Sequence, residues 1–298
     1  MKVRLLALLS ALALWVIAAV PANASSEGHS YLALGDSVSF GFNPLVDPRS
    51  ANNFTGFPEI VAQRLNIEDV NVACSGEATG GFISPTGLDN VCRDYRAALP
   101  LHVNYTGTQL AFAVNYLKNN PRTRLVTLML GANDFFRETR GPGHPWPPST
   151  CFLPPPVSIP AGLVAYFSTC AKQNLTTIFS AIRGTGYTGL LVVTTYYALD
   201  YGSPLSLFVT NLLNSTMLAA GAPFGVVQAK GFEALQAAAA PFGGDSCKAG
   251  LLIVTSTSPL TCDVHPTPKG RDLLAGAVID AIAGTCPAAD PTGCLNRS

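Results

Sequence analysis

Four short segments hold the residue types that acyl chemistry needs. Gly35-Asp36-Ser37-Val38-Ser39-Phe40-Gly41 follows the apolar run Tyr31–Leu34. A serine at a strand-to-helix turn lifts its hydroxyl above a sheet and turns its own N–H toward a developing oxyanion, although Gly-Asp-Ser is also ordinary turn and N-cap chemistry. Asn71-Val72-Ala73-Cys74-Ser75-Gly76 ends a second apolar run, where Gly76 is either a plain turn glycine or a bare N–H brought close to a substrate. Gly131-Ala132-Asn133-Asp134 ends a third; Asn133 is either part of an Asn-Asp turn or a side-chain donor to an oxyanion. Asp263-Val264-His265-Pro266 precedes the last helical pattern. Proline holds that histidine in a rigid, non-helical turn, and a nearby carboxylate can fix its tautomer; the alternative is a lone surface histidine.

These segments need a scaffold that brings them together. Short β-branched or apolar runs (31–34, 70–73, 125–130, 190–195 and 225–228) alternate with helical patterns (57–65, 108–117, 163–182, 205–219 and 270–282). Strand-helix alternation of this kind predicts a parallel sheet covered by helices on both faces. Ligands bind such sheets beyond the carboxyl ends of the strands, where three of the four segments lie. Two stretches break the alternation. Residues 135–160 carry eight prolines with His144 and Trp146, and a long irregular stretch in a compact domain is usually functional or mobile. Residues 245–261 read as an insertion tied by Cys247 and Cys262. Phe135, Phe136 and Trp146 fit an apolar acyl or lid surface, or core packing.

Taken together, Gly35-Asp36-Ser37, Gly76, Gly131-Ala132-Asn133-Asp134 and Asp263-Val264-His265-Pro266 resemble, in order, the four blocks of the SGNH (GDSL-type) hydrolases, a family of esterases and lipases. The resemblance spans residues 30 to 284. It implies a three-layer α/β/α sandwich with a flavodoxin-like, five-stranded parallel sheet. It also implies Ser37 as nucleophile and His265 as general base. The Ser37 N–H, the Gly76 N–H and the Asn133 side chain would form the oxyanion hole, with no metal and no organic cofactor. Asp36, though part of the signature, reads as a support for the turn. The sequence departs from the family at one point. The family acid stands three residues before the histidine, where this chain has Cys262; Asp263 stands two before it. Either Asp263 completes a triad, or a backbone carbonyl near Cys262 orients the ring and leaves a dyad.

Composition and the N-terminus bound the setting. Lys2 and Arg4, the apolar run Leu5–Val20, and Ala22-Asn23-Ala24 after Pro21 read as a secretory leader over residues 1–24. The run falls short of the ~20 residues a spanning helix needs. No later run reads as long and apolar enough to cross a bilayer. Residues 25–298 then form a single domain, secreted, soluble and monomeric. All eight cysteines follow the leader. An even count in an oxidising compartment predicts disulfides, and neighbour pairing gives Cys74–Cys92, Cys151–Cys170, Cys247–Cys262 and Cys286–Cys294. The four scattered histidines and the lack of a C-x2-C pair argue against zinc. Eighteen cations balance eighteen anions, and only 12% of residues are charged, so nothing marks a nucleic-acid partner. The leader and cystines are similar to those of actinobacterial extracellular lipases and esterases of the same family.

The expected function is therefore that of a secreted serine esterase or lipase acting on a small-molecule or lipid ester. A polysaccharide acetylesterase or an acyltransferase is the nearest rival. An inactive secreted binding module is the rival of another kind.

Overall fold

The computed structural model describes residues 30–138 and 159–285. Most of the proline-rich stretch, the leader, Cys151, Cys286 and Cys294 lie outside the described residues.

Five strands form one sheet: β1 (Ser30–Gly35), β2 (Glu68–Asn71), β3 (Thr123–Met129), β4 (Leu190–Thr194) and β5 (Val227–Ala229). Their order is β2-β1-β3-β4-β5, and every neighbouring pair is parallel. Parallel strands are buried on both faces, which is why Leu32, Leu34, Leu125, Val126, Leu128 and Leu191–Val193 are almost unbroken apolar runs without solvent exposure. The helices Phe57–Leu65, Gly231–Ala239 and Pro268–Thr285 form one covering layer, with the last packed on β4 and β5. Thr79–Ile83, Gln109–Asn119, Lys172–Gly184 and Pro204–Gly221 form the other. The chain is thus the three-layer sandwich expected, and the strand order reverses between β1 and β3, the place where such sheets bind ligands.

Side-chain chemistry moved several boundaries. β2 ends at Asn71 rather than Ala73 because the Asn71 carboxamide oxygen accepts the Ala73 N–H at 3.0 Å, a local turn that competes with the ladder. Val72 and Cys74 still donate to the Ala33 and Gly35 carbonyls, so the segment keeps running beside β1. The helix expected over 163–182 is two helices, Ile159–Tyr166 and Lys172–Gly184, joined through the π-helical turn Phe167–Ala171. β5 starts two residues late because Gly225 caps the preceding 3-10 turn in the left-handed region. The helices Thr79–Ile83, Cys92–Ala98 and Gly231–Ala239 were not apparent in the sequence. By length and composition Pro204–Phe224 is apolar enough to cross a membrane, contrary to expectation. It packs in the covering layer, burying Leu213, Asn214 and Met217, and a core helix meets the same test.

The largest correction concerns residues 245–266. What read as an insertion followed by a turn is an antiparallel hairpin, β6 (Leu252–Thr257) and β7 (Leu260–Pro266), outside the main sheet. His265 lies on β7.

Candidate active site

Ser37 is the first residue of the one-turn helix Ser37–Phe40 that caps β1. Asp36 is its N-cap, accepting the Val38 N–H at 3.0 Å. The Ser37 N–H, at the first helical position, has no acceptor within the helix. Gly35 cannot be replaced easily: at φ 143° a Cβ would lie 2.3 Å from the Met129 carbonyl oxygen. The turn therefore sits directly against the end of β3, which Asp36 N–H also contacts through the Met129 carbonyl at 3.2 Å.

His265 reaches this turn across 228 residues of sequence. Its Nε2 stands 2.7 Å from Ser37 Oγ. Its Nδ1 meets the Asp263 carboxylate, and Asp263 Oδ1 also accepts the His265 backbone N–H at 3.0 Å. The unusual spacing works because Asp263 and His265 are on a strand. Residues i and i+2 of a strand project from one face, so a carboxylate two places away is a same-face neighbour. The ring partner is thus a carboxylate rather than a backbone carbonyl. Burial pushes the Asp263 carboxyl up, but the His265 hydrogen bond and charge more than offset it, leaving the group below its ordinary value. Phe42 packs its ring against the imidazole at 5.0 Å, edge to face.

Gly76 follows β2 at φ 84°, in the left-handed region, where a Cβ would lie 2.1 Å from the Asn90 carbonyl oxygen. Both facts demand glycine there. The Cys74–Cys92 disulfide closes the loop that carries it, and Asn90 N–H donates to the Gly76 carbonyl at 2.8 Å.

Asn133 opens the helix Ala132–Glu138 after β3 and is buried. Its carboxamide donates to the Glu77 carbonyl at 3.0 Å and, at 3.4 Å, to Asp36 Oδ2, and accepts from Asn90 at 2.9 Å. Next to it, Asp134 is held by the Thr79 N–H (2.9 Å), the Thr79 hydroxyl (2.7 Å) and the Tyr166 hydroxyl. Residues 76–79 and 132–134 are therefore tied to one another as well as to the nucleophile turn.

All the sequence-selected residues, Ser37, Gly76, Asn133, Asp263 and His265, thus lie in one bonded neighbourhood at the strand ends. Cys74–Cys92 and Cys247–Cys262 are bonded, each beside a segment of this neighbourhood. The pairings Cys151–Cys170 and Cys286–Cys294 involve residues outside the described ones. Among the described residues no group of three or more His, Cys, Asp or Glu side chains is placed to hold a metal.

Sequence reading missed the residues that hold this neighbourhood. Asn90 supports Asn133. Gln109 accepts the Gly35 N–H at 2.7 Å and donates to the Gly35 carbonyl at 3.0 Å. Tyr196 donates to Asp36 Oδ2, and Tyr197 to the Val264 carbonyl at 2.6 Å. The tyrosines had a signal, since they follow a predicted strand at its carboxyl end. Gln109 and Asn90 had none. Two buried carboxyls stand out electrostatically. Burial pushes Asp36 up, and hydrogen bonds from Tyr196 and Val38 pull it back to about 6. Burial, aided by the charge of Asp89, pushes Glu77 up to about 8.

Comparison with known proteins bears on the fold and the family. No curated protein matches the sequence. Among solved structures, phospholipase A1 from Streptomyces albidoflavus NA297 superimposes with a TM-score of 0.54 at 20% identity, covering 87% of this chain and 100% of that one. An alpha/beta hydrolase enzyme from the metagenome of Lake Arreo gives 0.53 at 16% identity, covering 91% and 97%. An acetylxylan esterase from Geobacillus stearothermophilus gives 0.51 at 14% identity, covering 85% and 94%. At such identities the likeness is one of fold. The family comparison reaches further: residues 33–273 match the GDSL-like Lipase/Acylhydrolase family, and the chain belongs to that family.

Proposed function

We propose that this chain is an exported serine esterase or lipase that hydrolyses carboxylic esters through an acyl-enzyme on Ser37. The observation that carries the reading is the relay Ser37–His265–Asp263, with Oγ to Nε2 at 2.7 Å and Nδ1 on a carboxylate. His265 removes the hydroxyl proton as Oγ attacks the ester carbonyl. Asp263 holds the ring and offsets the imidazolium charge. The Ser37 N–H, the Gly76 N–H and the Asn133 carboxamide face the oxyanion, a donor of this kind being worth about 3 kcal/mol. For Asn133 that means exchanging its 3.4 Å contact with Asp36 for the oxyanion. The imidazolium then protonates the leaving alcohol, water attacks the acyl-enzyme with His265 again as base, and Ser37 is released. Apart from the ester and the water, every step uses groups of the chain itself.

The half-buried Phe42 and Val46, with Leu45 63% exposed beside them, favour an apolar acyl group over a bare acetyl. The two cystines fit an oxidising compartment, with residues 1–24 as leader and 25–298 as one catalytic domain acting as a monomer.

The test is turnover of p-nitrophenyl esters of increasing chain length, together with labelling by a serine-directed phosphonate. Wild type is expected to hydrolyse these esters and take up one label per chain, while Ser37→Ala folds but does neither. Near-wild-type turnover by Ser37→Ala would overturn the nucleophile; turnover confined to acetyl esters would overturn the apolar acyl site.

A further inference from the structure

The loop after β4 contributes no residue to the proposed chemistry, yet it touches both halves of it. Tyr196 and Tyr197 are consecutive and nearly buried, and they point to different places. The Tyr196 hydroxyl donates to Asp36 Oδ2. The other Asp36 oxygen holds the Val38 N–H, so this carboxylate sets the turn that presents Ser37, and its Oδ2 is also the distant partner of the Asn133 amide. The Tyr197 hydroxyl donates to the carbonyl of Val264, the residue between Asp263 and His265. Resting on the acyl-enzyme reading above, we propose that Tyr196 and Tyr197 are a positioning pair: one phenol sets the nucleophile and oxyanion side, and the other sets the histidine side.

Three features support this. The pair is itself fixed. Asn214, buried on the helix Pro204–Gly221, donates to the Tyr196 carbonyl and accepts the Tyr196 N–H, both at 2.8 Å. Both phenols remain donors at any working pH, because burial drives them far above the ordinary phenol range. The Val264 carbonyl belongs to a ribbon that shares no strand pairing with the main sheet, so a bond from the end of β4 ties its catalytic end to the sheet. The groups facing Asp36 are Tyr196 and, without a hydrogen bond, Tyr197 from the loop after β4, Asn133 and Asp134 from the segment after β3, and His265 from β7. Of the two phenols, Tyr196 is the one that donates to Asp36.

The experiment is a set of double-mutant cycles on kcat with a p-nitrophenyl ester. Tyr196→Phe and Tyr197→Phe keep the ring and remove one hydroxyl each. Each is expected to lower kcat about tenfold or more with little change in KM, since small misplacements of reacting groups are costly. The coupling pattern carries the test. Tyr197→Phe should cost much less in an Asp263→Asn background, and Tyr196→Phe much less in an Asn133→Ala background, because each then acts through a residue already disabled. The crossed pairs, Tyr197 with Asn133 and Tyr196 with Asp263, should multiply. Equal coupling in all four cycles, a loss that tracks melting temperature alone, or kcat within twofold of wild type for both Phe variants overturns the pairing. Active Ser37→Ala would overturn the acyl-enzyme reading instead, so the two failures are separable.

Discussion

The nucleophile and the proposed oxyanion donors ride on the parallel sheet, whereas the histidine and its carboxylate arrive on a two-stranded ribbon beside it. Ser37, Gly76 and Asn133 follow β1, β2 and β3, whose ends are cross-linked through the Gly35, Ala33 and Met129 carbonyls. The sheet core that sets them is fully buried. β6 and β7 bury only their base against it, through Leu252, Ile253 and Cys262, while the hairpin tip is exposed, and an isolated two-stranded hairpin is marginal in water. Beyond that base the ribbon is held by discrete ties, Cys247–Cys262 and Tyr197 to Val264, with Thr267 N–H closing its base on the Leu251 carbonyl at 2.9 Å. One half of the site is set by burial and the other mainly by tethers, so the two should fail in different ways.

The sharpest break of the ribbon half is Asp263→Asn. It keeps shape but favours the wrong histidine tautomer, and kcat should fall by up to about 10⁴-fold with the fold unchanged. A loss under about tenfold, with His265→Ala inactive, would show that His265 works without that carboxylate. In the sheet half, Asn133→Ala should lower kcat by about 10²–10³-fold at nearly constant KM, as removal of a transition-state donor does. An effect confined to KM would move Asn133 to substrate binding.

The two disulfides test the tether idea directly. Replacing Cys247 and Cys262 together by Ala should cost about 2–4 kcal/mol. Activity should then be lost on heating before the far-UV circular dichroism of the sheet changes. Replacing Cys74 and Cys92, whose bond lies in the buried cluster with Phe40 and Phe54, should lower both transitions together. Coincident transitions in both variants would mean that the ribbon is as firmly seated as the sheet.

The smallest effect concerns Glu77, buried beside the Gly76 turn. Its carboxyl is raised from an ordinary 4.5 to about 8. Between those values the folded chain keeps a proton that the unfolded chain releases, so stability falls as pH rises through the window. Glu77→Gln cannot release that proton. Its melting temperature relative to wild type should rise by a few degrees between pH 5 and pH 8. An unchanged difference would place an ionised Glu77 in the fold at neutral pH.

Much of this molecule was legible in its residues. The sheet strands announced themselves as short apolar runs because parallel strands are buried on both faces. The turn glycines and the Ser, Asn and His segments were visible because their chemistry is local to a few positions. The hairpin was missed although Leu251-Leu252-Ile253-Val254 is an apolar run of strand length: between the paired cysteines it read as part of an insertion, and the largely solvent-facing Thr255–Thr257 and β7 offered no clear alternation to pair with it.

Sequence alone determined the order of the five sheet strands and of most of their long covering helices, the strand-end placement of Ser37, Gly76 and Asn133, and the presence of a carboxylate near His265. Tertiary structure decided which group that histidine pairs with, because two residues of spacing means different things in a turn and in a strand. It also decided what holds the site: Asn90 and Gln109 are unmarked in the sequence, Tyr196 and Tyr197 are marked only by following a strand, and all four gain their role from partners brought close by folding. Local patterns encode burial and turns, whereas a hydrogen bond across 160 residues, such as Tyr196 to Asp36, exists only once the core has closed.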